Sequence, residues 1–369
     1  MSTNWYRWVP AAAVPALVAV GLATSGASAA SPPAPATAEQ VLALVAAHRT
    51  HQFSGEIEQR TDLGLPSIPA KALGSDAGAG NTAAILDLLT TGHTARVYVD
   101  GPTKQRVQVM DQLAERDAIR SGTSAWTWDS STKRATHTTL PSAAPSNGAG
   151  PLTPDSPSAA AMTPDELARR VLTAVGPSTA VTVGDPVTVA NHGAWTLVLT
   201  PRTTGTLVAS VRIAVESTTG LPMAVDVYAK GQADPAFHVA LTSLDLRAPD
   251  PSVFSFTPPA GATVTQQQLP TTSHRSRPLA AAKQQATKHQ ATKQAARPTG
   301  TGAGWDAVTV VPAARVPADL TRSPLVSQFA TRVPGGRLLS TSLVNVLLTD
   351  DGRLLAGAVP ASTLEAAAR

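Results

Sequence analysis

The sequence predicts an α+β fold that is mainly antiparallel β, an open and incomplete β-barrel curled around an apolar hollow with a few covering helices. Apolar and polar residues alternate with a period of two in many short segments between residues 93 and 241. Glycine and proline turns separate these segments, which favours antiparallel neighbours. Only three helical patterns are available to cover one apolar sheet face, so we expect the sheet to curl.

Capping boxes predict two of the three helices of the barrel domain. Thr37 and Gln40 form a capping box in front of an apolar stripe. A second, short helix is predicted over residues 81–90. The third begins at Thr163, with proline at its first helical position and Glu166 closing a second capping box.

The apolar members of the alternating segments are the candidate lining of the hollow, because one face of each strand must be buried. In an incomplete barrel, the core-facing side chains are also the wall of the cavity. The predicted lining residues are Val97, Val99, Val107, Val109, Trp126, Trp128, Trp195, Leu197, Leu199, Val211, Ile213, Val225 and Val227.

Two groups of residues allow alternative interpretations. Trp126 and Trp128 project from one face of their strand, either as ordinary sheet core or as a pair that faces a ligand. Several charged residues alternate with apolar ones, so we expect them on a solvated face as ion pairs, or at a rim that contacts a partner. These are Arg96, Lys104, Arg106 and Arg120, with Glu115 and Asp117 as their acidic partners.

Composition shifts divide the chain. Residues 1–30 are predicted to be a signal peptide, with Ala27 and Ala29 at the cleavage subsites, so the mature protein is expected to be extracytoplasmic, secreted or in the cell envelope. The alternative is an uncleaved N-terminal membrane anchor. The sequence has no cysteine, which excludes disulfides and thiolate metal sites.

The mature part divides into a barrel domain and a C-terminal segment. The barrel is predicted over 37–265 with a long loop insertion at 142–157, followed by a basic low-complexity linker at 266–303. Residues 304–369 are predicted to form a small β-hairpin and helix that fold back on the barrel, or a separate module.

The net positive charge of the chain comes from the linker. Six bases and no acid lie between residues 266 and 303. Without these six and Arg7, 22 of the 29 basic residues remain against 25 acidic ones, so no nucleic-acid partner is expected. The linker is either a solvated spacer or an attachment to an anionic membrane or cell-wall surface.

Several motifs within 37–265 carry a family resemblance. They are Asp100-Gly101-Pro102, Trp126-Thr127-Trp128, Leu199-Thr200-Pro201, Pro235-Ala236-Phe237 and Phe254-Ser255-Phe256-Thr257-Pro258-Pro259. Together they resemble actinobacterial secreted proteins similar to the outer-membrane lipoprotein carrier LolA and the sigma-factor regulator RseB. The resemblance implies an incomplete antiparallel barrel closed by helices, an apolar hollow that holds acyl chains, and no catalytic motif.

The predicted function is therefore a non-enzymatic extracytoplasmic carrier or sensor that binds lipid or acylated protein in the cavity. The alternative is an envelope regulatory module, RseB-like, that binds a protein partner at a sheet edge without lipid. The sequence has no Gly-x-Ser-x-Gly or phosphate-loop motif, and its histidines lack metal-ligand spacing. No catalytic residue, metal or cofactor is predicted.

Overall fold

The computed structural model describes residues 36–48, 51–64, 92–110, 114–140, 163–173, 176–268, 299–301, 304–316 and 329–369. The predicted signal peptide, the helix over 81–90, the loop at 142–157 and most of the linker lie outside the described residues. Of the predicted linker, residues 266–268 and 299–301 are described, and both stretches lie in strands. In the part of the chain described, no helix has the length and apolar composition needed to span a membrane.

A 13-stranded sheet forms the larger part of the molecule. Its strands are β1 (Gln52–Thr61), β2 (His93–Asp100), β3 (Lys104–Met110), β4 (Glu115–Ser121), β5 (Ser124–Asp129), β6 (Arg134–Thr139), β7 (Thr179–Val183), β8 (Val187–Val189), β9 (His192–Pro201), β10 (Val208–Glu216), β11 (Pro222–Ala229), β12 (Phe237–Asp245) and β13 (Thr263–Gln268).

The sheet is open, with strand order β13-β6-β5-β4-β3-β2-β1-β12-β11-β10-β9-β7 and β8 paired to β9 beside β7. Every pairing in it is antiparallel except that of β6 with β13. The predicted class, mainly antiparallel β with few helices in an unclosed sheet, is confirmed.

Two helices cover one side of the sheet, which we call the helix face. Helix α1 (Ala38–Ala47) contacts β7 and β9, and helix α2 (Pro164–Thr173) contacts β11 and β12. Val41 and Val45 of α1 and Ala168 of α2 are buried against the sheet. The helices therefore lie over the half of the sheet that contains β7 and β9 to β12.

Helices α1 and α2 begin with the predicted capping boxes. Thr37 N donates to Gln40 Oε1 at 2.8 Å, and Gln40 N donates to Thr37 Oγ1 at 3.3 Å. At α2, Thr163 N donates to Glu166 Oε2 at 3.3 Å, and Glu166 N donates to Thr163 Oγ1 at 3.2 Å. These bonds satisfy backbone donors that the first helical turn leaves without partners.

The turn between β10 and β11 holds α1 in place. Gly220 has φ +77°, and a Cβ added there would lie 2.5 Å from the Leu44 carbonyl oxygen of α1. The buried carboxylate of Glu216 accepts from Thr218 N at 3.0 Å, and from Thr219 N at 2.5 Å and Oγ1 at 2.7 Å. The turn thus satisfies its own buried charge while its glycine permits close approach of the helix.

Residues from 299 onward form a second, six-stranded antiparallel sheet in the order β14-β15-β19-β18-β17-β16. Its elements are β14 (Thr299–Thr301), β15 (Val308–Val311), β16 (Thr331–Val333), β17 (Gly336–Ser340), β18 (Asn345–Thr349), β19 (Leu354–Gly357) and helix α3 (Ala361–Ala368). Leu347, Leu355 and Leu364 form the centre of its small core.

The second sheet contacts the first through hydrogen bonds. Leu207 N and Thr206 Oγ1 both donate to Ala358 O, at 2.7 and 2.8 Å. Trp305 Nε1 donates to Thr179 Oγ1 at 2.8 Å. The indole also packs against the main hydrophobic core, so residues 304–369 are joined to the large sheet by both polar and apolar contacts.

Candidate functional site

Eleven of the thirteen predicted lining residues share the helix face. Directly paired residues of antiparallel strands lie on the same side of a sheet. Val97 pairs with Val107, and Ile213 pairs with both Leu197 and Val225. The same registers bring together Val97, Val99, Val107, Val109, Trp195, Leu197, Leu199, Val211, Ile213, Val225 and Val227.

Most of this face is a packed core among the described residues. Seven of the eleven side chains are buried, and the other four pack against the same cluster. The space between α2 and the sheet amounts to about 10 Å³, lined by Phe53, Ile57 and Leu241 among others. That volume suits one water molecule. The space beneath α2 is thus too small for an acyl chain.

Trp126 and Trp128 lie on the opposite side, which we call the outer face. Trp126 pairs with Ile119 and Trp128 with Asp117, whereas Val107 pairs with Ala118. The expectation of one common hollow that includes both tryptophans is therefore wrong. The length of each turn decides whether the odd-numbered or the even-numbered residues of the next strand face the core. Alternation within one strand therefore does not show which of its two faces lies on the same side as the core-facing residues of its neighbours.

A segment after β12 covers the tryptophans. Trp126 stacks on His137 at a centroid distance of 4.4 Å, and Phe256 lies 5.4 Å from Trp126 and 6.3 Å from Trp128. Phe254 is buried in the same segment. The structure thus agrees with the interpretation of Trp126 and Trp128 as sheet core.

An ion pair lies beneath that segment. Arg106 donates to Asp117 through Nη2 to Oδ2 at 2.6 Å and Nε to Oδ1 at 3.2 Å, and its Nη1 donates to Val253 O at 3.2 Å. Asp117 is only 3% exposed, so the expectation that this pair lies on a solvated face is wrong. Burial raises the pKa of Asp117, and the Arg106 guanidinium opposes that rise.

The other charged residues of this half have conventional surroundings. Lys104 Nζ lies 2.8 Å from Asp100 Oδ2 as a partly exposed pair, and this lysine with Gln52 lowers the pKa of Asp100. Gln108 donates to the carboxylate of Glu115. These contacts are structural, and they concentrate no reactive groups in one place.

A space that could hold a ligand lies on the outer face, over β9 to β12. This outer cleft has a volume of about 670 Å³, within the range of roughly 300–1,000 Å³ typical of ligand pockets. Its floor contains a row of small side chains, because Ala214 pairs with Ala224 and Ala224 pairs with Ala240. The β8 arm, residues 184–190, supplies Val187 and Val189 to its wall.

A polar row borders the alanines. Arg212 pairs with Asp226, and Asp226 pairs with His238, whose Nδ1 lies 2.5 Å from Asp226 Oδ1. The Arg212 guanidinium instead stacks over Tyr228, with its Cζ 4.5 Å from the ring centroid. All four of these residues line the cleft.

Thr196 adds a buried hydroxyl to the same wall. Its side chain pairs in register with Ala214, and the residue is 9% exposed. Its Oγ1 has no hydrogen-bond partner within the described part of the chain. Burying a hydroxyl without a partner costs free energy, so packing alone does not favour threonine at this position.

Sequence reasoning missed this cleft. The alanines are separated by 10 and 16 residues, and the polar residues occupy the strand positions that were expected to face solvent. The arginine on an apolar strand was the one available signal.

In the part of the chain described, no group of three or more potential metal ligands occurs.

No protein-family model and no curated protein matches this chain. Similar solved structures include the Pseudomonas aeruginosa MucA/MucB complex, 14% identical, with a TM-score of 0.44 and covering 90% of this chain and 96% of that chain. An uncharacterized conserved protein from Thermus thermophilus is 11% identical, with a TM-score of 0.34. This match covers 62% of this chain and 99% of that chain. A LolA superfamily protein from Nitrosomonas europaea is 12% identical, with a TM-score of 0.24. This match covers 60% of this chain and 99% of that chain.

Proposed function

We propose that this protein is a non-enzymatic, extracytoplasmic binding module whose main recognition surface is the outer cleft, where it engages a protein partner of the cell envelope. The outer cleft carries the proposal, because it offers about 670 Å³ of space, whereas the space beneath α2 amounts to about 10 Å³. The predicted signal peptide over 1–30 supports the compartment.

The mixed chemistry of the cleft supports a protein partner. Alanine and valine side chains lie beside an arginine, a carboxylate, a histidine and a tyrosine. A polypeptide presents the same mixture of apolar side chains and hydrogen-bonding groups, whereas an acyl chain would offer no acceptor to the Arg212 guanidinium.

Site-specific photocrosslinking tests the proposal. A benzophenone amino acid at Val187, 40% exposed at the cleft, is expected to give a protein adduct in the envelope of living cells. The matched control is Val264, 44% exposed on the strand at the far edge of the sheet. Equal adducts at both positions, or none at Val187, would contradict a partner at the cleft.

A lipid carrier is the second candidate, and one observation favours it. Val99 and Val107 lie on the helix face at the β2–β3 end and are partly exposed, so apolar surface is accessible there. Solvent extraction of the purified mature protein, with native mass spectrometry, tests this candidate. Stoichiometric acyl lipid, together with weaker binding of a fluorescent fatty acid by Val107→Thr than by Val264→Thr, would establish the carrier and displace the protein-binding proposal.

The basic linker supports a further part of the proposal, an association with anionic surfaces. Six bases without an acid contribute roughly 1 kcal/mol each near an anionic membrane. Sedimentation with phosphatidylglycerol vesicles, but not with phosphatidylcholine vesicles, is the expected result at low salt. Equal recovery with both vesicle types would identify the linker as a spacer.

A further inference from the structure

We infer that the outer cleft recognises a monocarboxylate with an apolar body, in which Arg212 binds the carboxylate, Thr196 Oγ1 hydrogen-bonds a polar atom beside it, and the alanine row receives the apolar part. This inference deepens the proposed function, since it rests on the outer cleft as the binding site. Carboxylates of this kind occur in free organic acids and at polypeptide C-termini.

Arg212 is placed to bind an anion. Its guanidinium is held by stacking over Tyr228 and not by the carboxylate of Asp226, although Arg212 and Asp226 are direct cross-strand partners. Asp226 is instead bonded to His238. A stacked guanidinium keeps its planar set of donors for a planar acceptor, and a carboxylate matches that geometry with two parallel hydrogen bonds.

The neighbouring charges favour a single negative charge. Asp185 and Asp226 also line the cleft, so a phosphate dianion would meet two carboxylates for one arginine. A carboxylate monoanion repels them less and matches the single arginine. The ligand is therefore expected to bear one anionic group.

The hydroxyl of Thr196 is a second polar group at the cleft. Thr196 lines the cleft and is nine-tenths buried, and its Oγ1, itself buried, has no partner among the described residues, so a rotation about χ1 is needed to bring it to a ligand. A hydroxyl both donates and accepts, so it suits an amide, an alcohol or the second oxygen of the bound acid. Were Thr196 only structural, valine would fill the same volume at lower cost.

The row of alanines fixes where the apolar part lies. Ala214, Ala224 and Ala240 leave a shallow trough across three strands, and Val187 and Val189 of the β8 arm face it. Apolar surface placed there is removed from water on both sides, which favours a short apolar side chain or alkyl segment.

Isothermal titration calorimetry on the full mature chain tests the inference with three probes. They are sodium hexanoate, an N-acetylated tetrapeptide ending in valine with a free carboxylate, and the same peptide amidated at its C-terminus. The free-acid peptide is expected to bind at least tenfold more tightly than the amidated peptide. Arg212→Gln, at an exposed residue, should abolish that difference. Hexanoate binding as tightly as the free-acid peptide would assign the site to small organic acids; weaker binding would assign it to polypeptide C-termini.

The variant Thr196→Val tests whether the hydroxyl of Thr196 binds the ligand or only supports the fold. This variant should weaken binding of the free-acid peptide by about three- to tenfold, the worth of one hydrogen bond, while raising the urea midpoint of the unliganded protein. Thr200→Val is the matched control, since Thr200 is an exposed residue of the same strand and face outside the cleft. It should leave binding unchanged.

Equal affinity for free-acid and amidated peptides, or unchanged affinity in both Arg212→Gln and Thr196→Val, would overturn the inference. Ala224→Leu, which fills the trough, should abolish binding of the free-acid peptide and leave the circular dichroism spectrum native. Carboxylate binding without a Val187 crosslink would refute the proposed protein partner alone, and a crosslink without carboxylate binding would refute this inference alone.

Discussion

The buried ion pair between Arg106 and Asp117 offers a quantitative test of how the outer face is covered. In the variant Arg106→Met, the aliphatic length is kept while the two charged hydrogen bonds to Asp117 and the bond to Val253 O are lost. Asp117 is left as an uncompensated carboxylate at 3% exposure. Breaking a buried pair in this way costs about 3–5 kcal/mol of unfolding free energy.

The pH dependence of that loss follows from the direction of the pKa shift. Burial raises the pKa of Asp117 above its ordinary value of 3.8, and Arg106 opposes the rise. A carboxyl whose folded pKa is raised contributes stability that is present below its unfolded pKa and is lost as pH rises through the folded pKa. Without Arg106 the folded pKa rises further. The destabilisation by Arg106→Met is therefore smallest near pH 4 and grows towards pH 7.

Urea unfolding at pH 4.5 and pH 7, followed by tryptophan fluorescence, measures both quantities. Lys104→Met is the control on the same strand, because its side chain is 41% exposed and its pair with Asp100 is worth less than about 1 kcal/mol. The double variant Arg106→Met/Asp117→Leu should recover most of the loss. An Arg106→Met cost below about 1 kcal/mol, or one independent of pH, would refute the buried-pair reasoning.

Three further expectations follow from single contacts. Gly220→Ala should lower the unfolding free energy by about 2–3 kcal/mol in a urea titration, whereas Gly231→Ala, also at positive φ but with open space around it, should cost only about 1 kcal/mol. Trp128→Ala should cost about 3–5 kcal/mol as a packed core residue, and a cost under about 1 kcal/mol would show that it faces a hollow. In an NMR titration Asp245 should have a pKa of about 2, lowered by hydrogen bonds from Arg247, and Arg247→Gln should return it towards 3.8. Because that folded pKa is depressed, its small stabilising effect is lost as pH falls through about 2.

The elements that local chemistry specifies were predictable. A capping box is read from residues three apart, and the boxes of α1 and α2 form as predicted. The cap that Ser362 and Glu365 predict for α3 does not form, because this helix follows Pro360 and has no capping side chain. Period-two alternation identified strands such as β9 and β10, where the buried Leu197, Leu199, Val211 and Ile213 stand at every second position. Both the alternation pattern and the strand that it predicts are local, since neither strand is longer than ten residues.

Relations between strands were not predictable, because registers depend on turns and bulges. The pairing of β1 with β12 shifts between Glu56 and Ile57, so Gly55 faces Leu244 while Ile57 faces Leu241. One inserted residue reverses which positions share a face. For the same reason, the alternation pattern alone could not show that Trp126 and Trp128 lie on the face opposite the predicted hollow.

The outer cleft escaped prediction for a related reason, and its chemistry is the better guide to function. The buried carboxylate of Glu216 is satisfied by hydrogen bonds within its own turn. Thr196 differs, because it lines the cleft and its buried Oγ1 has no partner among the described residues. Valine at that position would keep the strand and remove the desolvation cost. If the hydroxyl is kept for binding, as we propose, its substitution should stabilise the free protein and weaken the complex.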